Sequence, residues 1–353
     1  MKQSTGYFSI GLALFLAVLA AQALGETEVK GTSQGTTWKA MTTTAPSVAI
    51  DQNGTKYVAW QNAGSNQILV ATSPANSNTW TLLGTSEGGA GVVGGTSWTA
   101  GTNASPSLAF NSQTNQMWLA YKGQSTPTDR IWFSTWNGSS WAAQQVVSCS
   151  NGTPKTGLAP ALGGGQAMTL AWKGASDDDI WNTSWDGSGW SPQATVKGSD
   201  PAWTAGTSTT PAWVSPYFNG DPYVLFWKGG SPDLWVSEYN AGSGWELQTK
   251  ITCDTEPTWI YETNFAPAAV YDNQPLQGSY VVFWTSSSST SIYYSYQTEG
   301  SCGWSKPTTV PGAATDAAPA VVFPFSGPPD YFVAWKKATN NTIWYDTFDT
   351  LKP

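Results

Sequence analysis

Histidine is absent from the 353 residues, and Arg130 is the only arginine. The first absence removes imidazole acid–base schemes, His-dependent triads and His-ligated metal centres. The second removes any site that grips a carboxylate or phosphate with several guanidinium groups. Three cysteines, Cys149, Cys253 and Cys302, are too few to staple a chain this long, and their odd number leaves at least one without an intrachain partner. The fold must therefore stand on packing. Charged residues are sparse, 11% of the chain, and their balance of -8 would repel phosphates, so nucleic acid is not an expected partner. Asp177-Asp178-Asp179 does not alternate ligands around a glycine as a calcium loop does, and it reads as a charged hairpin tip. No metal and no cofactor is expected.

Long apolar runs are lacking too, except at the start. Lys2, the apolar run Ile10 to Ala21, and small residues at Ala21-Gln22-Ala23 or Ala23-Leu24-Gly25 predict a signal peptide over residues 1–25 and a secreted product. The run is too short for a spanning helix, and no later segment could cross a bilayer, so no membrane span is expected after cleavage. Acceptor triplets for N-glycosylation occur at Asn53, Asn103, Asn137, Asn151, Asn182 and Asn340.

What the chain has in abundance is tryptophan, 22 residues, and glycine, 36, and both are distributed periodically. Ala159-Pro-Ala-Leu leads through Met168-Thr-Leu-Ala-Trp-Lys-Gly174 and Asp179-Ile-Trp-Asn-Thr-Ser-Trp185 to Gly189-Trp190 and Val196, four short extended runs separated by turn residues. The same order recurs over about 45–83, 105–147, 159–196, 210–251, 266–310 and 318–348. Taking Trp60, Tyr121, Trp172, Trp227, Trp284 and Trp335 as equivalents, the units repeat every 51 to 61 residues. The sixth unit stops before its fourth strand, and Thr36-Thr-Trp-Lys-Ala40 is a spare strand at the other end. The expected fold is all-β: a single six-bladed β-propeller over residues 26–353, with four-stranded blades and a ring closed by pairing the N-terminal strand with the C-terminal strands. Closure by 36–40 removes two exposed sheet edges. In this architecture the tryptophans of the second strands are core, filling the wedges between blades.

Function is expected in the connections between units. Ser97-Trp-Thr-Ala-Gly-Thr-Asn103 matches Ala202-Trp-Thr-Ala-Gly-Thr-Ser208, and Pro257-Thr-Trp-Ile-Tyr261 occupies the same place before the fifth unit. Connectivity puts all three on one face, where an exposed indole beside short polar groups has the composition of a sugar subsite. Trp98, Trp203 and Trp259 are the candidates from this set, with packing over the blade edge as the competing reading. A second set comprises the lysine after the inner aromatic, as in Lys122, Lys173, Lys228 and Lys336, and the aromatic after the third-strand Ile or Leu: Trp132, Trp181, Trp235, Tyr293 and Trp344.

This unit, with Trp172-Lys-Gly174, Asp179-Ile-Trp181, Trp185-Asp-Gly187 and Gly189-Trp190, resembles the repeats of bacterial PLL-like propeller lectins. That resemblance implies sugar binding in pockets between blades, with Asp233 and Trp235, Asp179 and Trp181, and the neighbouring Lys173 and Lys228 as binding residues. Members of that family commonly have seven blades, against six here. Six-bladed fucose lectins of fungi are similar in architecture, but their repeated Arg and Glu pairs cannot be built from one arginine. Ser184-Trp-Asp-Gly-Ser-Gly-Trp190 resembles the Asp-box turn of sialidases, whose three-arginine site is likewise excluded. The expected function is a secreted, multivalent, non-catalytic binder of glycans or glycoconjugates. A structural propeller with other extracellular proteins as partners is the alternative. A glycoside hydrolase working through a carboxylate pair among Glu238, Asp254, Glu256 and Glu262 is a third.

Overall fold

The computed structural model describes residues 26–84, 91–124, 127–198, 203–215, 223–253, 255–272, 279–298, 302–324 and 330–348. The expected leader, residues 1–25, and Asp254 lie outside them. Among the described residues no helix is long and apolar enough to cross a membrane.

A strand buried on one face alternates apolar and polar residues, whereas a strand buried on both faces reads as a continuous apolar run. Tyr223-Val-Leu-Phe-Trp-Lys228 is of the second kind. Val224 and Phe226 point to one side and join the cluster containing Val282 and Trp284; Leu225 and Trp227 point to the other and join Ala171 and Ile180. Each second strand is thus the middle of a sheet sandwiched between two others. Six antiparallel sheets result. Blade 1 holds Ser47–Ile50, Lys56–Gln61, Ile68–Ser73 and Thr81–Leu82; blade 2 holds Ser107–Asn111, Gln116–Lys122, Ile131–Trp136 and Gln145–Val146. Blade 3 comprises Ala161–Gly163, Met168–Lys173, Ile180–Trp185 and Ala194–Thr195. Blade 4 comprises Ala212–Val214, Tyr223–Lys228 and Leu234–Asn240, with Gly244–Trp245 and Thr249–Lys250 both paired to the third strand. Blade 5 is Ala268–Asp272, Ser279–Thr285, Ser291–Tyr296 and Thr308–Ala314. In blade 6, Ala320–Val322, Tyr331–Lys336 and Ile343–Phe348 are completed by Thr27–Glu28.

Each interface between consecutive blades has its own apolar cluster, including the one joining blade 6 to blade 1. The inner aromatic of each blade faces the preceding blade. Trp60, Tyr121, Trp172, Trp227 and Trp284 are each 1% exposed and Trp335 0%, as the repeat required of core residues. Large rings suit a wedge that widens outward, and the area they bury offsets the ordering of a Gly- and Ser-rich chain. The corners are local. The Asp186 carboxylate accepts N–H bonds from Ser188 and Gly189, both at 2.8 Å, and Gly187 takes φ 102°. Asn137 and Gly138 repeat this arrangement. Those bonds hold the exposed Asp186 carboxyl below the usual carboxylate range. The Asp-box-like segment is therefore a self-capped hairpin turn.

The ring closes with strands from both termini, but the closing strand is not 36–40. Thr27 pairs with Tyr345 and Glu28 with Trp344, while Thr36–Lys39 folds back on Lys30–Ser33 as a separate hairpin. The backbone bonds explain the shift. Val29 donates to Ile343, Ala40 to Val29 and Ile343 to Ala40, the same triangle that Val196, Ala205 and Ile180 form in blade 3. Val29 therefore ends the fourth strand, and Trp38 belongs with Trp98 and Trp203 on a connection. It stacks on Trp60 at 6.3 Å.

A threonine recurs on all six connections: Thr42, Thr102, Thr156, Thr207, Thr263 and Thr315, each at most 1% exposed. Each is followed at the third and fourth places by Ala, Ser or Thr and then Pro. Its N–H bonds to a carbonyl in the hairpin of the preceding blade, as Thr207 does to Asp178. Its hydroxyl accepts the N–H two residues on, as from Thr209 at 3.1 Å, and Thr207 also donates to the Lys228 carbonyl at 2.8 Å. Thr207→Val keeps the shape and removes these hydroxyl bonds, so it is expected to cost about 1–2 kcal/mol, read as a lower calorimetric midpoint.

The seam carries one acid where blades 2 to 5 use a hydroxyl and blade 1 has Ala71. Ser134, Thr183, Ser237 and Ser295 donate to outer-strand carbonyls at 2.6–2.7 Å; Asp346 holds the matching register in blade 6. Burial raises its carboxyl to about 6, only partly offset by the Thr347 N–H, and Glu26 adds to the rise. The folded chain therefore holds this proton more tightly than the unfolded one. The stabilisation is full below the unfolded value of 3.8 and is lost as pH rises through about 6. Asp346→Ser is expected to raise stability by about 1–2 kcal/mol at pH 7.5 and to change little at pH 4, measured by denaturant melts at both.

Candidate functional site

The threonine bonds bring the connections and the hairpins between second and third strands to one face. There the six Ala/Ser/Thr-Pro pairs ring the mouth of the central passage. Among the described residues the inner strands line the passage without a charged side chain, and Trp213 crowds it: a Cβ on Gly163 would lie 2.1 Å from its ring. Chemistry is found instead in the grooves where a connection crosses from one blade to the next.

Groove 4/5, between blades 4 and 5, holds a cavity of about 220 Å³. The connection supplies half-buried Trp259 and Glu262, and exposed Ile260; blade 5 supplies Trp284, Tyr293, Ser286, Ser288 and exposed Lys306. Trp284 and Tyr293 are cross-strand partners and stack at 6.0 Å, with Tyr261 against Trp284 at 5.9 Å. Burial pushes the Tyr261 phenol up to about 12, and it donates to the Ser305 carbonyl at 3.0 Å. Glu262 accepts from the Ser287 hydroxyl at 3.2 Å. The start of this connection is covalently fixed by a disulfide between Cys253 and Cys302. Cys149, at the equivalent place before blade 3, is a buried free thiol whose pKa burial raises.

Groove 1/2 is built from equivalent positions and holds a cavity of about 310 Å³. Tyr121 stands where Trp284 does, Trp132 where Tyr293 does, and Gln144 and Pro307 each lie three residues after an outer-strand tryptophan. Its remaining polar groups are Ser65, Gln67, Thr99 and Gln124. The Tyr121 hydroxyl donates to Gln144 Oε1, and burial raises its pKa. Gly123 is required here, because a Cβ on it would lie 2.7 Å from the Trp132 ring nitrogen.

The nine residues singled out from the sequence are spread over four grooves. Trp259 lines groove 4/5, and Asp233 borders it through its bridge to Glu262. Burial would raise the Asp233 carboxyl, but Lys250 at 2.7 Å and the Ser231 hydroxyl at 2.6 Å outweigh it and lower the pKa. Trp98 is half-buried in the cluster between blades 1 and 2, and its neighbours Thr99 to Gly101 line groove 1/2. Trp203 is only 9% exposed and lies over Gly198, so it is not the exposed indole expected. Close approach to a residue lacking Cβ draws this ring inward. Trp235 is half-buried over Gly229. Trp181 turns its ring nitrogen to Asp177 at 3.4 Å. The Asp179 carboxyl is raised by burial and by Asp177 and Asp178. The two lysines bond within the chain: Lys173 donates to the Asp177 carbonyl at 2.6 Å and pairs with the Asp178 carboxylate at 3.0 Å, and buried Lys228 donates to the Ser208 hydroxyl at 2.9 Å and the Gly229 carbonyl at 3.2 Å. Gln67, Gln124, Gln144, Ser286, Ser288 and Lys306 were not anticipated. Their spacing from the repeat aromatics is the signal that locates them.

No protein-family model matches the chain, and no curated protein matches it in sequence. Solved structures match its fold over most of its length. The Aleuria aurantia lectin, in complex with Fucα1-6GlcNAc, has a TM-score of 0.59 and 15% identity, covering 87% of this chain and 93% of the lectin. A GH93 α-L-arabinofuranosidase of Fusarium graminearum, in complex with arabinobiose, has a TM-score of 0.62 and 11% identity, covering 92% and 97%. The NanB sialidase of Streptococcus pneumoniae has a TM-score of 0.60 and 10% identity, covering 92% and 70%. The six-bladed propeller is thus a fold common to lectins and glycoside hydrolases.

Proposed function

We propose that the protein is a secreted lectin that binds glycans in grooves between its blades and catalyses no reaction. The observation that carries this reading is groove 4/5, where Trp259 and Tyr293 offer aromatic surface for the C–H face of a sugar. Glu262, Lys306, Ser286 and Ser288 border the same cavity as partners for hydroxyls. Glycoside hydrolysis uses two carboxylates. Among the described residues Glu262 is the one carboxylate lining groove 4/5, and none lines groove 1/2, which favours binding over cleavage. Among the described residues the exposed large apolar side chains Met41, Leu247 and Ile260 sit on three different elements: the connection into blade 1, the outer part of blade 4 and the connection into blade 5. That dispersal favours small polar ligands over a protein interface. The likeness of the repeat unit to PLL-like lectins agrees with sites between blades. The disulfide fits an oxidising, extracellular setting.

A glycan array probed with the mature, labelled protein tests the proposal. Hits competed by free sugar are expected; a blank array with correctly folded protein would overturn it.

A further inference from the structure

Equivalent positions in a ring need not keep equivalent chemistry, and here they diverge. In groove 2/3 the space is bridged by the Asn151 side chain, which donates to the Gln193 carbonyl at 2.9 Å and accepts from the Gln193 N–H at 2.8 Å. In groove 5/6 Lys337 pairs with Glu26 and lies 4.6 Å over Trp344. In groove 6/1 Trp38 stacks on Trp60, and exposed Met41 stands where groove 1/2 has Gly101 and groove 4/5 has Glu262. Trp203 is sunk into the 3/4 interface. Grooves 1/2 and 4/5 hold their cavities open, and they are three blades apart, half a turn of the ring, on the same face.

Their linings differ in charge. Groove 1/2 presents three side-chain amides, Gln67, Gln124 and Gln144, two hydroxyls, Ser65 and Thr99, and the phenol of Tyr121, which burial keeps protonated. Among the described residues it holds no ionic side chain. Groove 4/5 presents the Glu262 carboxylate, at the place of Gly101, and the Lys306 ammonium, next to the place of Gln144. Amides and hydroxyls match uncharged sugar hydroxyls and offer nothing to offset the desolvation of an ion, whereas Glu262 and Lys306 each provide a counter-charge.

We propose that the two grooves are distinct sites, groove 1/2 for neutral saccharides and groove 4/5 for saccharides bearing an ionised group. One chain then bridges two different glycan ends across its face. This rests on the lectin reading and goes beyond it in number, position and charge class.

The test is calorimetric titration of the mature chain with two probes: neutral methyl galactoside, glucoside, mannoside and fucoside in turn, and ionised glucosamine and glucuronate in turn. A Cβ at Gly101 would lie 2.8 Å from the movable end of Gln124 and in ordinary contact with the Asn66 carbonyl at 3.7 Å, so Gly101→Met fills groove 1/2 without backbone strain. It is expected to weaken neutral-probe binding by about tenfold or more and to leave the ionised probe unchanged. Glu262→Gln and Lys306→Ala, tested separately, are expected to do the reverse. The ionised probe alone should weaken steeply between low and high salt, and each probe should titrate fully with the other saturating. Competition between the two probes, or loss of both in one variant, would overturn the two-site inference while leaving lectin activity intact. Failure of every probe, together with a blank array, would overturn the lectin reading itself.

Discussion

Trp259→Ala is expected to weaken glycan binding at groove 4/5 by about 10- to 100-fold, or about 1.4–2.8 kcal/mol, with an unchanged circular dichroism spectrum. The ring is half-buried and lines the cavity, so truncation removes apolar contact from the ligand without opening a sealed core. The connection is held independently of it. The Leu234 N–H bonds to the Tyr261 carbonyl at 3.2 Å, and Thr263 bonds to the Pro232 carbonyl at 2.8 Å. Trp203→Ala is the informative control, because that equivalent ring is 9% exposed. It should lower the melting temperature and leave the affinity at groove 4/5 intact. Equal affinity of Trp259→Ala and the parent chain for every array hit would remove groove 4/5 from the binding surface.

The architecture was legible because each blade is buried on both faces. That forces uninterrupted apolar second strands such as Tyr223 to Lys228, and repetition of those strands counts the blades. The closing strand was misplaced because a tryptophan was matched by residue type. Trp38 resembles the tryptophan that opens outer strands, but its place two residues before Ala40 and four before Thr42 is that of Trp98 and Trp203 on their connections. The candidate site was half legible for a related reason. Sequence similarity locates the connections, so Trp259 was found, but burial of Trp98 and Trp203 depends on glycines that have moved close in space, Gly95 and Gly198. Repetition marks the lysines but not their partners, and a buried ammonium needs carbonyl and hydroxyl acceptors. Lys228 finds these on Ser208 and Gly229. The residues that give each groove its polar character, such as Lys306 and Gln144, keep their spacing from the repeat tryptophans but change type between units, so similarity between units does not mark them.

Removing the disulfide is expected to have the larger effect on stability and a selective effect on binding. Cys253 and Cys302 are separated by 49 residues and tie the exit of blade 4 to the corner before Trp304 in blade 5. A crosslink of that span restricts the unfolded chain, so Cys302→Ser should cost about 2–4 kcal/mol. Cys302 is half-buried, and a serine there does not place a new hydroxyl in a sealed core. Between the disulfide and the Tyr261 bond the described backbone bonds of the connection are local turns, Glu256 to the Cys253 carbonyl at 3.1 Å and Trp259 to Glu256 at 3.0 Å, and the Thr255 hydroxyl lies 3.3 Å from the Cys302 sulfur itself. Cutting the anchor frees that stretch, and a ligand at groove 4/5 must then order Trp259 and Glu262 as it binds, which costs affinity. Groove 1/2 has no such tether and should be unaffected. Melting curves and titrations with and without dithiothreitol, on the parent and on Cys302→Ser, separate the two effects. The reduced parent should match the variant in both midpoint and groove 4/5 affinity. A parent chain whose midpoint and ligand affinities all ignore the reductant would show that packing alone positions this loop.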